Sequence, residues 1–128
     1  MCLTTKQKWP KIAWKPIKVY KVIYGYPNNY RTMYQRMSVD IGQTYQETIH
    51  NIFRNIEKNR TITGKRIFEI YFGLHSFQKR YLAEAVKDYY SCLYNTHVIE
   101  CTIPKFSFYW IGDRDDIVSN KLKYVKIL

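Results

Sequence analysis

Apolar residues alternate with polar ones in short runs along most of the chain, which is the pattern of β-strands with one buried face. The clearest runs are IKVYKVIY at 17–24, IFEIYFGL at 67–74, HVIECTIP at 97–104 and FSFYWIG at 106–112. The last twelve residues, IVSNKLKYVKIL, predict either a strand pair or one long strand. Turn-forming residues interrupt the pattern at GYPNNYR, residues 25–31, and at DRDD, residues 113–116.

Two segments change to the 3.6-residue period of an amphipathic helix. The first covers about residues 45–58, and Thr44 with Glu47 has the spacing of a capping box in front of it. The second begins at Phe77, and Ser76 is a suitable N-cap for it. Runs of strands around two helices predict an α+β fold: a single domain with a mainly antiparallel sheet and about two helices packed on it.

The first 16 residues, MCLTTKQKWPKIAWKP, differ in character from the rest of the chain. Proline interrupts regular structure and tryptophan is stabilised by cover, so we expect a basic extended arm packed on a domain of residues 17–128. No apolar run approaches the roughly 20 residues that cross a bilayer. The N-terminus also lacks the apolar core of a signal peptide. We therefore expect an intracellular protein without a membrane partner.

Positive charge is concentrated in the first third of the chain. The 128 residues include 21 Lys and Arg against 10 Asp and Glu, a formal net charge of +11. Residues 1–39 contain eight of the cations and no carboxylate, because Asp40 is the first acid. Such a region attracts nucleic acid, nucleotide phosphates, an anionic membrane or an acidic protein. The alternative is that the charge keeps a tyrosine-rich surface soluble.

The predicted strand-to-helix junction FGLHSFQKR, residues 72–80, is the first candidate site. A helix start has free N–H groups and a positive dipole end, and its first turn usually contains acids. Here it contains Lys79 and Arg80, which suits a bound phosphate or carboxylate, with His75 and Ser76 as hydrogen-bonding neighbours. The alternative is that Ser76 only caps the helix and both cations point into water.

The segment YRTMYQRM, residues 30–37, is the second candidate site. It interleaves Tyr30 and Tyr34 with Arg31 and Arg36, an arrangement that suits base stacking beside phosphate contacts. Together with the tryptophans of the arm, it predicts a surface for a nucleotide or a nucleic acid. The alternative is that the rings pack beneath a loop while the arginines extend to water.

The sequence supports catalysis only weakly, and it indicates no metal site. Glu69 and Glu100 could join His75 in acid–base chemistry, but both lie on predicted strands opposite the apolar face, where carboxylates are usually solvated. The three cysteines, at positions 2, 92 and 101, lack metal-ligand spacing and are interpreted as reduced thiols. We predict no catalytic residue, no metal and no cofactor.

Three segments resemble a group of small proteins from phages and mobile elements of gut Bacteroidales. They are GLHSF at 73–77, CTIPKFSFYWIG at 101–112 and VSNKL at 118–122, less than half of the chain. The resemblance implies a setting: an accessory or counter-defence protein of a phage or mobile element, in the cytoplasm of a bacterial host cell.

A second resemblance is to ADP-ribosyltransferase-like folds, in which a G-I-Y-F-A strand leads into a helix and then a strand of the vL-c-E-V kind. FGLHSF at 72–77 and VIECTIP at 98–104 follow that order, although His75 and Ser76 replace the aromatic pair. We expect a non-catalytic protein that binds an anionic, phosphate-bearing ligand, either a nucleotide signal or a nucleic acid. The alternatives are an NAD-using enzyme of this second type and an inhibitory or structural protein that docks an acidic host protein.

Overall fold

This computed structural model describes residues 3–33 and 35–128 of the chain. They contain thirteen strands and two helices. The strands are β1 Leu3–Thr5, β2 Lys11–Ile12, β3 Ile17–Tyr26, β4 Asn29–Thr32, β5 Ser38–Val39, β6 Thr44–Gln46, β7 Glu57–Arg60, β8 Arg66–Ile70, β9 Leu74–Phe77, β10 Thr96–Ile103, β11 Phe108–Ile111, β12 Asp116–Ser119 and β13 Lys121–Ile127. The helices are α1 Ile49–Arg54 and α2 Arg80–Tyr90. The predicted α+β class with a mainly antiparallel sheet and two helices is confirmed. Neither described helix has the length and apolar character needed to cross a membrane.

The larger sheet has ten strands and is strongly curled. Eight strands follow the order β2-β11-β12-β9-β3-β10-β13-β6, and β4 and β5 extend it beside β3. Three strands lie between β12 and β13, although Asn120 alone connects them along the chain. A flat sheet would separate them by about 19 Å, whereas one connecting residue spans about 7 Å. The sheet therefore bends back on itself and encloses a core.

Three clusters of buried apolar side chains hold the fold together. The enclosed cluster consists of Ala13, Val19, Ile23, Val39, Leu74, Ile99, Cys101, Ile103, Ile117, Leu122 and Tyr124. A second cluster lies against the three-stranded sheet β1-β8-β7 and consists of Leu3, Ile52, Ile70, Trp110 and Val118. The third joins Ala83 of α2 to Val22 and Val98. Strands β3 and β10 are therefore covered on both faces.

The first helix is much shorter than predicted. Helix α1 has six residues, and Thr48 is its N-cap, with Oγ1 accepting from the Asn51 N–H at 3.3 Å. The predicted capping box is wrong, because Thr44 lies in β6 opposite Lys123 of β13. Residues 57 and 58, the last two of the predicted helix, belong instead to strand β7. Sheet pairing at both ends overrides the local helical period.

The second helix begins later than predicted. Ser76 is not its N-cap, because β9 continues to Phe77 and Ser76 pairs with Ile117 of β12. Helix α2 begins at Arg80, and Lys79 occupies the cap position without a side-chain cap bond. The backbone groups at 74–77 are satisfied by the neighbouring strand, so the helical pattern before residue 80 is not realised.

The N-terminal arm contributes a strand to each sheet. Strand β1 pairs with β8, and β2 pairs with β11 at the edge of the large sheet. Between them, Gln7 donates from Nε2 to the Tyr109 carbonyl at 3.2 Å and accepts the Ile111 N–H at 3.2 Å. We expected the arm's tryptophans to be covered, but Trp9 and Trp14 are 66% and 68% exposed.

Candidate ligand site

A pocket of about 90 Å³ lies between β3, β9, α2 and the loop that joins β4 to β5. Val22, Met33, Phe77 and Val86 form its apolar wall. The polar residues that line it are Lys21, Thr32, Gln35, Tyr71, His75 and Ser76. Three of these polar residues lie within residues 21–35 and the other three within residues 71–76, so only the folded protein brings them together.

Lys21 is the buried cation of this pocket. It lies in the middle of β3, on the same face as Val19 and Ile23, and is 8% exposed. Its Nζ donates to the His75 carbonyl at 2.5 Å. Burial lowers the pKa of this amine to about 8, so it remains mostly charged at neutral pH. Among the described residues, the ion pairs are Lys18 with Glu100 and Arg80 with Glu84, and neither involves Lys21.

His75 is a buried neutral imidazole on the neighbouring strand. Its Nε2–H donates to the Tyr71 carbonyl at 3.2 Å, which leaves Nδ1 as an acceptor. Burial, and then the charge of Lys21, lowers the pKa of His75 to about 4. Nδ1 is buried and has no hydrogen-bond partner among the described residues.

Ser76 adds a second unused polar atom. Its side chain is buried, and Oγ has no hydrogen-bond partner within the described part of the chain. Buried hydroxyls without a partner are uncommon, and each one calls for a physical explanation. The residues that line the pocket thus include an ammonium, a buried hydroxyl and a buried ring nitrogen, and none of the three uses its full hydrogen-bonding capacity within the described residues.

The remaining polar groups near the mouth are bonded within the protein. Gln35 donates from Nε2 to the Gly73 carbonyl at 3.1 Å, and the Thr32 Oγ1 accepts the Met37 N–H at 3.1 Å. The Tyr71 hydroxyl donates to Glu69 at 2.7 Å. These bonds hold the loop and strand that border the pocket. Among the described residues that line the pocket, the unused hydrogen-bonding capacity is therefore concentrated on Lys21, His75 and Ser76.

The first predicted cluster is divided by the structure. His75 and Ser76 line the pocket, but they do so as strand residues and not at a helix start. Lys79 and Arg80 are exposed and do not line it. The Arg80 Nε donates to Glu84 at 2.9 Å across one helical turn. Arg80 therefore already has a carboxylate partner.

The second predicted cluster borders the same pocket through other residues. Tyr30 packs against the enclosed core, with its ring 5.6 Å from that of His97. Arg31 donates to the Arg36 carbonyl at 3.2 Å, and both side chains are exposed. Tyr34 lies outside the described residues. Thr32, Met33 and Gln35, which we did not single out, are the members of this segment that line the pocket.

Lys21 is not among the site residues predicted from the sequence, although a signal for it is present. In KVYKVIY the two-residue alternation places this lysine between two apolar residues of the buried face. A charged residue at such a position is uncommon unless it has a partner. We counted it only as part of the basic N-terminal third.

The candidate acids and thiols lie elsewhere. Neither Glu69 nor Glu100 lines the pocket. Burial raises the pKa of the Cys101 thiol to about 12, whereas Cys92 is exposed. Within residues 3–33 and 35–128, no group of three His, Cys, Asp or Glu side chains could hold a metal ion.

No protein-family model, curated protein or solved structure matches this chain.

Proposed function

We propose that the protein binds a small ligand whose anionic group, a carboxylate or a phosphoryl group, pairs with Lys21 in this pocket. The observation that carries the proposal is a buried ammonium without a carboxylate partner among the described residues. An unpaired buried charge is strongly unfavourable, and an anionic ligand is the simplest group that compensates it.

The size of the pocket limits the ligand. Its volume of about 90 Å³ is smaller than the roughly 150 Å³ of a protein cavity that holds a benzene molecule. A whole nucleotide is larger than this, so a nucleotide would enter with its phosphate only. A small organic acid or phosphate monoester would be held more completely.

The polar atoms without a partner limit the chemical class of the ligand further. Ser76 Oγ can donate to the same anionic group that pairs with Lys21, while His75 Nδ1 can accept a hydrogen bond. Val22, Phe77 and Val86 offer apolar contact to the rest of the molecule. A small hydroxy acid satisfies all three requirements: it has an anionic group, a hydroxyl donor and a short carbon skeleton.

The role that follows is ligand binding without catalysis. Neither Glu69 nor Glu100, the acids that an NAD-using alternative would need, lines the pocket. The setting of a phage or mobile-element accessory protein is supported by the sequence resemblance alone. A protein of that kind would act by sequestering or sensing a small anionic metabolite of the host cell.

Thermal stabilisation by small anions tests this proposal. Acetate, lactate and phosphate are tested, each at 10 mM and constant ionic strength, and the two carboxylates are compared with their neutral amides. We expect at least one acid to raise the melting temperature by about 4 °C, as a Kd of about 1 mM implies, while the amides have no effect. The stabilisation comes from binding to the folded state only.

Two variants locate the binding site in this experiment. Ser76→Ala should weaken the stabilising anion about tenfold, because the variant loses one hydrogen bond to a charged group. The double variant Lys79→Ala/Arg80→Ala should retain the full response, because both side chains lie outside the pocket. Equal melting temperatures with acids and amides, or loss of the response only in the double variant, would contradict the proposal.

A further inference from the structure

A second surface presents exposed aromatic rings among lysines, and it shares no residue with the Lys21 pocket. Trp9 is 66% exposed and borders a cleft of about 200 Å³, which we call the Trp9 cleft. The residues that line it are Lys8, Trp9, Phe53, Ile56, Lys58 and Phe68. The aromatic ring is therefore accessible beside a concave apolar wall.

Trp9 is exposed but held in place. The Trp110 indole N–H donates to the Lys8 carbonyl at 3.3 Å, and Gln7 donates from Nε2 to the Trp9 carbonyl at 2.7 Å. The ring itself packs at a tilt on Phe53, with centroids 5.7 Å apart. A ring that is already fixed loses little conformational entropy when a ligand stacks on it.

The strand register explains why the described residues that line the cleft include lysines and no carboxylate. Lys58 of β7 lies directly opposite Phe68 of β8, so both side chains project from the same face of the small sheet. Glu57 and Glu69 are opposite each other on the alternate face. Lys8, on the other side, has its Nζ 5.3 Å from the centre of the Trp9 ring. Positive charge thus flanks the aromatic platform.

A second aromatic platform lies further along the arm. Trp14 and Phe106 are 68% and 61% exposed and meet edge to face at 6.2 Å, and Lys105 lies 4.8 Å above the Phe106 ring. Phe106 has φ +70°, an unfavourable conformation for a bulky residue. Hydrogen bonds between Ala13 and both Phe106 and Ser107 maintain it. The fold therefore holds an exposed aromatic ring on a strained backbone at this position.

The two platforms lie along one edge of the large sheet. Trp9 and Trp14 are five residues apart, with edge strand β2 between them, so at about 3.3 Å per residue their Cα atoms are at most about 17 Å apart. Lys11 and Lys15 are exposed along the same stretch. A linear polyanion with flat bases is complementary to rings and cations in such a row.

We propose that this edge binds single-stranded nucleic acid, with a base stacked on Trp9 in the cleft and the flanking phosphates paired with Lys8 and Lys58. An acidic peptide would pair with the lysines but has no flat group for the cleft. A membrane would require apolar side chains on a convex tip, whereas Trp9 borders a concave surface with lysines on both sides. The chemistry of the cleft therefore favours a nucleobase.

Fluorescence anisotropy with labelled dT15 and rU15 tests this proposal at 50 and 200 mM NaCl, and a 15-base-pair duplex serves as competitor. Trp9→Ala should weaken binding of the single strands about tenfold to a hundredfold, the usual effect of removing one base–aromatic stack. Tyr81→Ala, which removes an equally exposed ring from α2, is the matched control and should leave the affinity unchanged. Lys8→Gln/Lys58→Gln should reduce the salt dependence by about 1.4 in the log–log slope.

Several outcomes would overturn the proposal. The first is that neither dT15 nor rU15 binds, and the second is that the duplex binds more tightly than the single strands. The third is that Trp9→Ala binds the single strands as tightly as the unchanged protein does. The fourth is that the protein binds phosphatidylserine vesicles and that Trp9→Ala abolishes this binding but not the binding of dT15. Unchanged melting temperatures of the variants establish that they are folded. Lys21→Met should bind dT15 normally, so failure of this proposal and failure of the Lys21 pocket are distinguishable.

Discussion

Lys21→Met is expected to raise the free energy of unfolding at pH 7 by about 2 kcal/mol and to abolish stabilisation by small anions. Lowering the pKa of Lys21 from 10.5 to about 8 corresponds to about 3 kcal/mol of unfavourable burial of the charge. Loss of the hydrogen bond to the His75 carbonyl offsets about 1 kcal/mol of the gain. Urea unfolding measures the difference directly.

The pH dependence of this difference gives a second signature. Because burial lowers the pKa of Lys21, the unfolded chain binds more protons than the folded protein between about pH 8 and pH 10.5. The native protein should therefore gain stability relative to Lys21→Met across that range. Burial raises the pKa values of Cys101 and Tyr124, which acts in the opposite direction, but both groups are present in both proteins.

Lys18→Met is the matched control for this prediction. Lys18 lies on the same strand, but its side chain is 62% exposed and 3.7 Å from Glu100. Its replacement should change the free energy of unfolding by less than about 1 kcal/mol. A Lys21→Met protein that is less stable than the original at pH 7, or a difference that does not shrink toward pH 10.5, would show that Lys21 is not a buried, uncompensated cation.

Gly73→Ala is expected to lower the free energy of unfolding by about 3 kcal/mol. Gly73 has φ +104°, which is unfavourable for any residue with a Cβ. An added Cβ would also approach the buried Val118 Cγ1 to 2.5 Å and the Ile52 Cδ1 to 3.2 Å. Overpacking of this kind typically destabilises by about 1–3 kcal/mol, in addition to the backbone strain.

Gly64→Ala separates the two contributions. Gly64 also has a positive φ, of +84°, but an added Cβ would meet no atom within 4 Å. Its substitution should therefore lower the free energy of unfolding by only the conformational part, about 1 kcal/mol. Equal destabilisation by both substitutions in urea unfolding would show that the chain at Gly73 is not packed against Val118 and Ile52.

The parts of the fold that follow from short-range pattern were predictable. The alternation in residues 17–24 and 97–104 predicts β3 and β10, and Ile99, Cys101 and Ile103 do face the enclosed core. The turn after β3 is also confirmed, with Asn28 at φ +69°. In these segments the local sequence and the tertiary environment favour the same conformation.

The errors lie where pairing with distant strands decides the conformation. Residues 74–77 read as the approach to a helix, but β12, some forty residues later, provides hydrogen-bond partners that extend the strand to Phe77. Strands of two or three residues, such as β2, β5 and β6, are too short to show any period. Such elements exist because a neighbouring strand supplies their partners.

The candidate site was only partly predictable for the same reason. His75 and Ser76 line the pocket, yet they were predicted from a helix dipole that does not act at their position, because α2 begins only at Arg80. Lys21 becomes a buried cation only because the curled sheet encloses the face of β3 that carries Val19 and Ile23, and because the His75 carbonyl of β9 lies within hydrogen-bonding distance. Local sequence identifies a lysine on a strand, but burial of that lysine depends on segments more than fifty residues away.

The most direct test of the central claim is an NMR titration of the Lys21 amine, with the ε-carbon signal assigned by its absence in Lys21→Met. We expect a pKa of about 8 in the free protein, and a higher pKa with the stabilising acid bound, because a paired anion favours the ammonium form. A pKa near 10.5 in the free protein, or one that the acid leaves unchanged, would contradict a buried ammonium that binds anions.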